Sequence, residues 1–185
     1  MLIAGTRRYM NREGLRLRPL RLTDGPAVAR MLTTKDILKA SGKEGPLEIS
    51  WFRLFFLLRK IFVISYCIEY NSKRIGLIGL FDLLSDRSAE LALVIADPSA
   101  RRRGHGTSAF NLLANALGNH PFIENLTVSV MRENLDALAF WRRLGFKETG
   151  GDGKMQRLTI RISEAGKKGN YTGQKGRQGT HDTTE

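Results

Sequence analysis

Alternating apolar and polar residues predict the first strand and the first helix of the chain. Residues 15–20 alternate leucine with arginine or proline, as a half-buried strand does. Pro19 either places that strand at a sheet edge or ends it early. Asp24 follows Thr23 as a candidate N-cap, with Pro26 near the first turn, so a helix is expected to begin here.

Three apolar runs separated by short polar turns follow, at residues 62–70, 74–83 and 88–96. Because connections this short join adjacent strands, these runs predict antiparallel neighbours in one sheet. Before them lies a segment, residues 47–60, in which the apolar residues have helical spacing and several are aromatic. Such a segment usually packs in a core.

The second half of the chain alternates helix and strand patterns. Phe110, Leu113, Ala114 and Leu117 have helical spacing, and Gly118 can end that helix. The remaining predicted elements are a strand at residues 125–130, a helix at 135–144, and a last strand at 154–162 after a glycine-rich turn at 150–153. Residues 163–185 are too poor in apolar side chains to offset their ordering entropy, so a disordered basic, glycine-rich tail is expected.

The segment between the third apolar run and the following helix has the composition of a phosphate-binding turn. Arg101, Arg102 and Arg103 supply positive charge, while Gly104 and Gly106 let the backbone approach a ligand closely. The helix start adds unpaired N–H groups and the positive end of the helix dipole. A basic glycine-containing turn is also an ordinary feature of protein surfaces, so this segment alone does not identify a phosphate-binding site.

Two blocks together resemble a known family. Arg101-x-x-Gly104-x-Gly106 resembles the acetyl-CoA pyrophosphate loop of the GNAT superfamily of N-acetyltransferases. Some thirty residues later, the segment 133–146 is similar to the family's segment with an asparagine, an alanine three positions on, and a terminal Gly-Phe pair. Both blocks have the family's order and about its separation, and the resemblance covers residues 15–162.

The resemblance implies an α+β fold: a single GNAT-type domain, with a mixed, mostly antiparallel central sheet and helices on both faces. It divides the chain into a loose N-terminal arm (1–14), the acetyltransferase domain (15–162) and the tail (163–185). It implies acetyl-CoA as acetyl donor, with the N–H of Val94 or a neighbour facing the thioester oxygen. The implied coenzyme-binding residues are Leu93, Val94, Ile95, Ala96, Arg101, Arg102, Arg103, Gly104, His105, Gly106, Thr107, Ser108, Asn134, Ala137, Phe140 and Trp141.

Several of these residues have a structural alternative. Asn134 precedes a predicted helix as an N-cap does, and one or two of the three arginines are expected to be solvated. In the family the segment 47–60 frames the acceptor pocket, so some of Trp51, Phe52 and Phe55 could contact the acceptor instead of packing in the core.

Glu90 is the candidate catalytic residue. It lies eleven positions before Arg101, the separation at which the histone-acetyltransferase branch of the superfamily places its general base. The alternative is a glutamate that is solvated or paired with Arg87. A departure from the family's pattern concerns Trp141, which stands where many members have a tyrosine that protonates the leaving thiolate.

Because an indole N–H is not a usable acid, Trp141 is expected to pack or to contact the pantetheine arm. Protonation of the thiolate then falls to water, to Tyr66 or Tyr70 if either points inward, or to no group.

Charge and composition limit the partners. The net charge is +12, and residues 163–185 contribute little of it, with four basic and three acidic residues. A basic body could attract nucleic acid, acidic lipid or an anionic cofactor.

The chain has no apolar run long enough for a membrane span, and the scattered histidines do not suggest a metal site. The single cysteine, Cys67, excludes an internal disulfide framework, is read as a buried structural thiol, and fits a cytoplasmic location.

Three functions stay open at this point. The first is an N-acetyltransferase acting on a primary amine of a small molecule or a protein, by direct attack in a ternary complex. The second is a non-catalytic acyl-CoA-binding regulatory module. The third, drawn from charge alone, is an RNA-associated protein or a modifier of a ribosomal protein. A monomer or a homodimer is expected in each case.

Overall fold

In a computed structural model of the chain, which describes residues 9–34, 64–83, 86–118 and 120–165, eight strands form one sheet. The strands are β1 (Met10–Arg12), β2 (Leu15–Pro19), β3 (Ser65–Tyr70), β4 (Lys73–Leu83), β5 (Ser88–Ile95), β6 (Asn125–Met131), β7 (Lys147–Asp152) and β8 (Met155–Arg161). The described helices are α1 (Gly25–Leu32), α2 (His105–Leu117) and α3 (Leu135–Arg143). Three short 3-10 turns accompany them, at Leu22–Asp24, Pro98–Ala100 and Ile162–Glu164.

The spatial order of the strands is β1-β2-β3-β4-β5-β6-β8-β7. All neighbours are antiparallel except β5 and β6, which run parallel because the chain returns through α2 between them. The predicted mixed, mostly antiparallel sheet is therefore confirmed.

The main core lies on the face of the sheet that α2 and α3 cover. Apolar residues at every second strand position point to this face, as Leu126, Val128 and Val130 do in β6. Phe110 of α2 and Trp141 of α3 complete the cluster. This alternation, with polar residues between the apolar ones, is the reason that the strands could be read from the sequence.

A second, smaller cluster lies on the opposite face, beside α1. It contains Leu20, Val28 and Cys67, with Leu77 packed against them. Cys67 stands between two β3 residues of the main core, so its side chain points to the other face. Burial raises the pKa of the Cys67 thiol to about 11, which keeps it protonated. Helices thus lie on both faces of the sheet, as expected.

A buried ion pair fixes the start of α1 against the sheet. The Arg18 guanidinium donates to both carboxylate oxygens of Asp24, at 2.8 and 3.0 Å, and to Glu69 Oε1 at 2.9 Å. Asp24 also accepts the backbone N–H of Arg21 at 2.8 Å. Burial alone would raise the pKa of Asp24, but the bonds from Arg18 and Arg21 outweigh it and hold that pKa below its usual value.

Two strands were not predicted, and both lie at sheet edges. β1 falls within the segment 1–14 that was expected to be a loose arm, which is wrong for Met10–Arg12. β7 includes Gly150 and Gly151, which were assigned to a turn; the turn lies instead at residues 153–154. A Cβ atom on Gly151 would lie 2.2 Å from the Met155 carbonyl oxygen, so glycine here permits a close strand pairing.

The other described elements agree with the prediction within about three residues at each end. Pro19 ends β2, which is internal to the sheet, so the edge alternative is wrong. Residues 47–60, with Trp51, Phe52 and Phe55, lie outside the described residues, as does the tail beyond Ala165. No helix in the described parts of the chain is long and apolar enough to cross a membrane.

Candidate active site

The central feature of the site is the separation of β5 from β6. The two strands are paired only from Ser88 and Asn125 to Glu90 and Thr127. Beyond Glu90, β5 is paired with β4 alone among the described strands. The carboxyl ends of β5 and β6 therefore enclose a gap, and one backbone edge of residues 91–95 faces it.

The direction of the β5 peptide groups follows from strand alternation. The Ala96 N–H donates to the Ile75 carbonyl at 2.8 Å, toward β4. Because successive residues point their peptide groups to opposite edges, Val94 also points toward β4, while Leu93 and Ile95 point into the gap. Among these residues, the N–H groups of Leu93 and Ile95 face the gap, whereas that of Val94 faces β4.

A capped turn fixes the loop after β5. The Asp97 carboxylate accepts the N–H and the hydroxyl of Ser99, at 2.9 and 2.6 Å, and pairs with Lys73 Nζ at 2.7 Å. The bond from Lys73 and those from Ser99 lower the pKa of Asp97 to about 2. The Asp97 carboxylate is therefore charged throughout the physiological pH range, and it connects the turn to the start of β4.

Gly104 gives the loop its conformation. Its φ of +82° lies in the left-handed region that favours glycine, and it forms the N-cap of α2. A Cβ atom built on Gly104 would meet nothing within 4 Å. The space beside this residue is open, and the first N–H groups of α2, residues 105–107, have no partner within the helix. This is the arrangement that binds phosphate at helix starts.

Gly106 brings three elements together. A Cβ atom there would lie 3.4 Å from Leu93 of β5 and 3.4 Å from Phe140 of α3. The small residue thus lets the first turn of α2 sit close to the strand and to α3. Leu93, Gly106 and Phe140 form an apolar corner beside the gap.

The three arginines have three different environments. Arg101 turns back to the strand, where its Nε donates to the Ile95 carbonyl at 2.9 Å and its Nη2 to the Ala96 carbonyl at 3.5 Å. Arg102 reaches Asp136 of α3 at 3.1 Å, with both side chains 87% exposed. Arg103 is exposed. Arg101 therefore holds the loop to the end of β5, whereas Arg102 and Arg103 are exposed.

The α3 residues named from the sequence are largely structural in their contacts. Asn134 caps the helix, since its Oδ1 accepts the Ala137 N–H at 3.2 Å. Trp141 is only 6% exposed and makes edge contacts with Phe110, Phe140 and Phe146, at centroid distances of 6.1, 4.9 and 5.0 Å. Both structural alternatives considered for these residues are thus observed.

The residues at the start of α2 have distinct surroundings. The His105 ring packs against Tyr70 at a centroid distance of 4.3 Å, while Thr107 and Ser108 are half-buried in the first turn. Tyr66 is buried in the main core. The structure therefore places Tyr66 in the core and Tyr70 against His105.

Glu90 lies at the last paired position, where the gap begins. Its neighbours Ala89 and Leu91 both point into the main core, so Glu90 points to the opposite face, half-buried and beside Thr127. The alternative partner, Arg87, is paired instead with Glu124.

Sequence reasoning missed a row of hydroxyl groups next to Glu90. Thr127 Oγ1 lies 3.2 Å from Thr159 Oγ1, which lies 2.9 Å from Thr149 Oγ1. Each threonine is on a different strand, and only the strand register brings the three together. The sequence signal was a threonine between apolar residues in two of the predicted strands, at Thr127 and at Thr159.

Comparisons with known proteins agree with this architecture. Residues 14–147 match the family model described as an acetyltransferase (GNAT) domain. The chain has no significant match among curated protein sequences.

Solved structures share the fold at low identity. A spermidine N-acetyltransferase from Vibrio cholerae, in complex with CoA and spermine, is 21% identical with a TM-score of 0.69, covering 82% of this chain and 97% of that one. An acetyltransferase from Salmonella typhimurium that modifies the N-terminal serine of a 50S ribosomal subunit protein is 13% identical with a TM-score of 0.70, covering 81% and 96%. An aminoglycoside acetyltransferase in complex with coenzyme A is 16% identical with a TM-score of 0.70, covering 81% and 96%.

Proposed function

Because the chain belongs to the GNAT acetyltransferase family, we propose that it transfers the acetyl group of acetyl-CoA to a primary amine by direct attack in a ternary complex. The observation that supports the proposal is the gap between β5 and β6. The Gly104 loop follows the end of β5, and Glu90 lies at the last paired position, where the gap begins. A strand edge, a phosphate-binding helix start and a carboxylate are the parts that such a transfer needs.

The residues around the gap fit acetyl-CoA, which supplies an activated acyl thioester when bound. The N–H groups of residues 105–107, with Thr107 and Ser108 hydroxyls beside them, would hold the pyrophosphate. Arg102 and Arg103 would add positive charge. Arg102 would leave its ion pair with Asp136 and bind a phosphate oxygen instead. The peptide groups of residues 93 and 95 would pair with the pantetheine arm, against the apolar corner of Leu93 and Phe140.

Glu90 would act as the base. Its carboxylate accepts a proton from the acceptor ammonium, so the neutral amine nitrogen can form the new amide bond. As that bond forms, the thioester C–S bond breaks, the sulfur leaves with the electron pair, and the amide nitrogen releases its second proton to water. The Leu93 or Ile95 N–H would stabilise the charge that develops on the carbonyl oxygen.

No side chain needs to protonate the departing sulfur in this scheme. Trp141 is packed in the core and its indole is not an acid of useful strength. A thiol with a pKa of about 8.5, the value for a cysteine side chain, can leave as thiolate and take a proton from water. Binding and orientation would then supply much of the acceleration.

A charge placed at Gly104 tests the coenzyme site. Gly104→Asp puts a carboxylate where the pyrophosphate would lie, so acetyl-CoA affinity should fall at least about tenfold. Calorimetric titration of the folded variant measures this directly. Gly104→Asn is the matched control, because asparagine has the same size and also tolerates positive φ, and it should bind much more tightly than the aspartate variant.

Equal acetyl-CoA affinity for the Asp and Asn variants would show that the pyrophosphate does not lie at Gly104. Acetyl-CoA binding without thiol release from any amine would favour the non-catalytic acyl-CoA-binding module instead.

A further inference from the structure

The face of the sheet that carries Glu90 continues across β6 and β8 as a polar surface. In β6, Thr127 and Ser129 alternate with core residues, and in β8 Arg157, Thr159 and Arg161 do the same. We call these five residues the polar face. Ser129, Arg157 and Arg161 are exposed, Thr159 is half-buried and Thr127 is buried.

The strand register joins the polar face to Glu90. Glu90 is opposite Thr127, and Thr127 is opposite Thr159 with their hydroxyls 3.2 Å apart. Arg157 and Arg161 stand two residues to either side of Thr159. With strands about 4.8 Å apart and residues about 3.3 Å apart along a strand, each arginine Cα lies about 12 Å from that of Glu90. An extended arginine covers about half of that distance.

Charges of opposite sign lie on this side of the sheet, with Glu90 on β5 and two arginines of the polar face on β8. Glu90 is the carboxylate beside the gap, whereas neither Arg157 nor Arg161 forms a salt bridge with a residue in the described parts of the chain. Two other arginines of this half of the chain are paired with carboxylates, Arg102 with Asp136 and Arg142 with Glu148. The polar face therefore offers positive charge several ångströms from the carboxylate, with hydroxyls between.

We propose, building on the acetyltransferase function above, that the acceptor is a dipolar molecule: a primary amine that also carries a carboxylate or phosphate. Its ammonium group lies at Glu90, and its anionic group binds Arg157, Arg161 or both. The hydroxyl of the half-buried Thr159 binds polar groups between the two ends. A polycationic amine meets two unneutralised guanidinium groups here and is disfavoured.

Matched pairs of acceptors test this inference in a thiol-release assay at low ionic strength, where exposed charges are least screened. Alanylalanine against its C-terminal amide tests a carboxylate, and glucosamine 6-phosphate against glucosamine tests a phosphate. Spermidine is the polycation. We expect the anionic member of at least one pair to have a kcat/KM at least about tenfold above its neutral partner and above spermidine.

The double variant Arg157→Gln/Arg161→Gln should remove that preference. It should raise KM for the anionic acceptor about tenfold or more. The kcat for that acceptor, the kcat/KM for the neutral acceptor and the affinity for acetyl-CoA should change little. Arg143→Gln, an exposed arginine at the end of α3, is the control and should keep the preference.

Turnover that favours neutral or polycationic amines, or a double variant with an unchanged preference, would overturn the dipolar acceptor and leave the acetyltransferase function standing. Failure of every amine to release thiol would overturn both.

Discussion

Turnover at neutral pH is expected to fall by about 10²–10⁴-fold when Glu90 is replaced by glutamine, because the acceptor ammonium then has no carboxylate to take its proton. Glutamine keeps the shape of the side chain, so acetyl-CoA affinity should stay close to that of the unmodified protein. Part of the lost rate should return at high pH, where the free amine is abundant. Steady-state rates across a pH series, with acetyl-CoA binding measured separately, test these expectations.

Glu164→Gln is the matched control for this experiment. Glu164 is exposed in the 3-10 turn after β8, so its substitution should leave the pH–rate profile unchanged. If the profile of Glu90→Gln overlaid that of the unmodified protein, Glu90 would be eliminated as the base. Deprotonation by water would then be the better account.

Trp141→Ala is expected to destabilise the fold by about 3–5 kcal/mol, as large-to-small substitutions of buried aromatic residues do. Trp141 is 6% exposed and contacts three phenylalanines, so its removal leaves a cavity beneath α3. Urea denaturation measures the free energy of unfolding. Trp141→Tyr should be much less destabilising and should keep or raise turnover.

Leu135→Ala provides the comparison on the same helix. Leu135 is 70% exposed, so its truncation should change stability by less than about 0.5 kcal/mol. A Trp141→Ala variant as stable as the unmodified protein, with turnover alone lost, would contradict the packing role of Trp141.

The sequence was most informative where one residue type is required by local conformation. Gly104, a glycine of the motif, has a positive φ, and Asn134 caps the helix that follows it as expected. The inner strands were readable because their apolar residues face one core with a period of two. The two missed strands lie at sheet edges, where β7 is exposed along its length and gives no such pattern.

The gap itself could not be predicted from residues alone. The sequence of residues 91–95 is apolar in the manner of any buried strand, and whether such a strand is paired on one edge or both depends on the strand beside it. The pairing of β5 with β6, which stops at Glu90 and Thr127, shows the gap. For the same reason, the peptide direction that selects Leu93 and Ile95 over Val94 required the register with β4.

Side-chain partners were the least predictable part of the site. Arg101 belongs to the motif, yet its guanidinium is turned to carbonyl groups of its own strand end. The hydroxyl row of Thr127, Thr159 and Thr149 comes from three strands that are distant in sequence. Contacts of this kind depend on topology and register, which no short motif contains.

Amide hydrogen exchange with and without acetyl-CoA tests the central claim, that the coenzyme lies in the gap between β5 and β6. We expect acetyl-CoA to slow exchange at Leu93, at Ile95 and at residues 105–107, whose N–H groups face the gap or the loop. Val94 is the internal control, since its N–H points toward β4 and should change far less. Protection confined to other parts of the sheet, with Leu93, Ile95 and the start of α2 unchanged, would contradict the account.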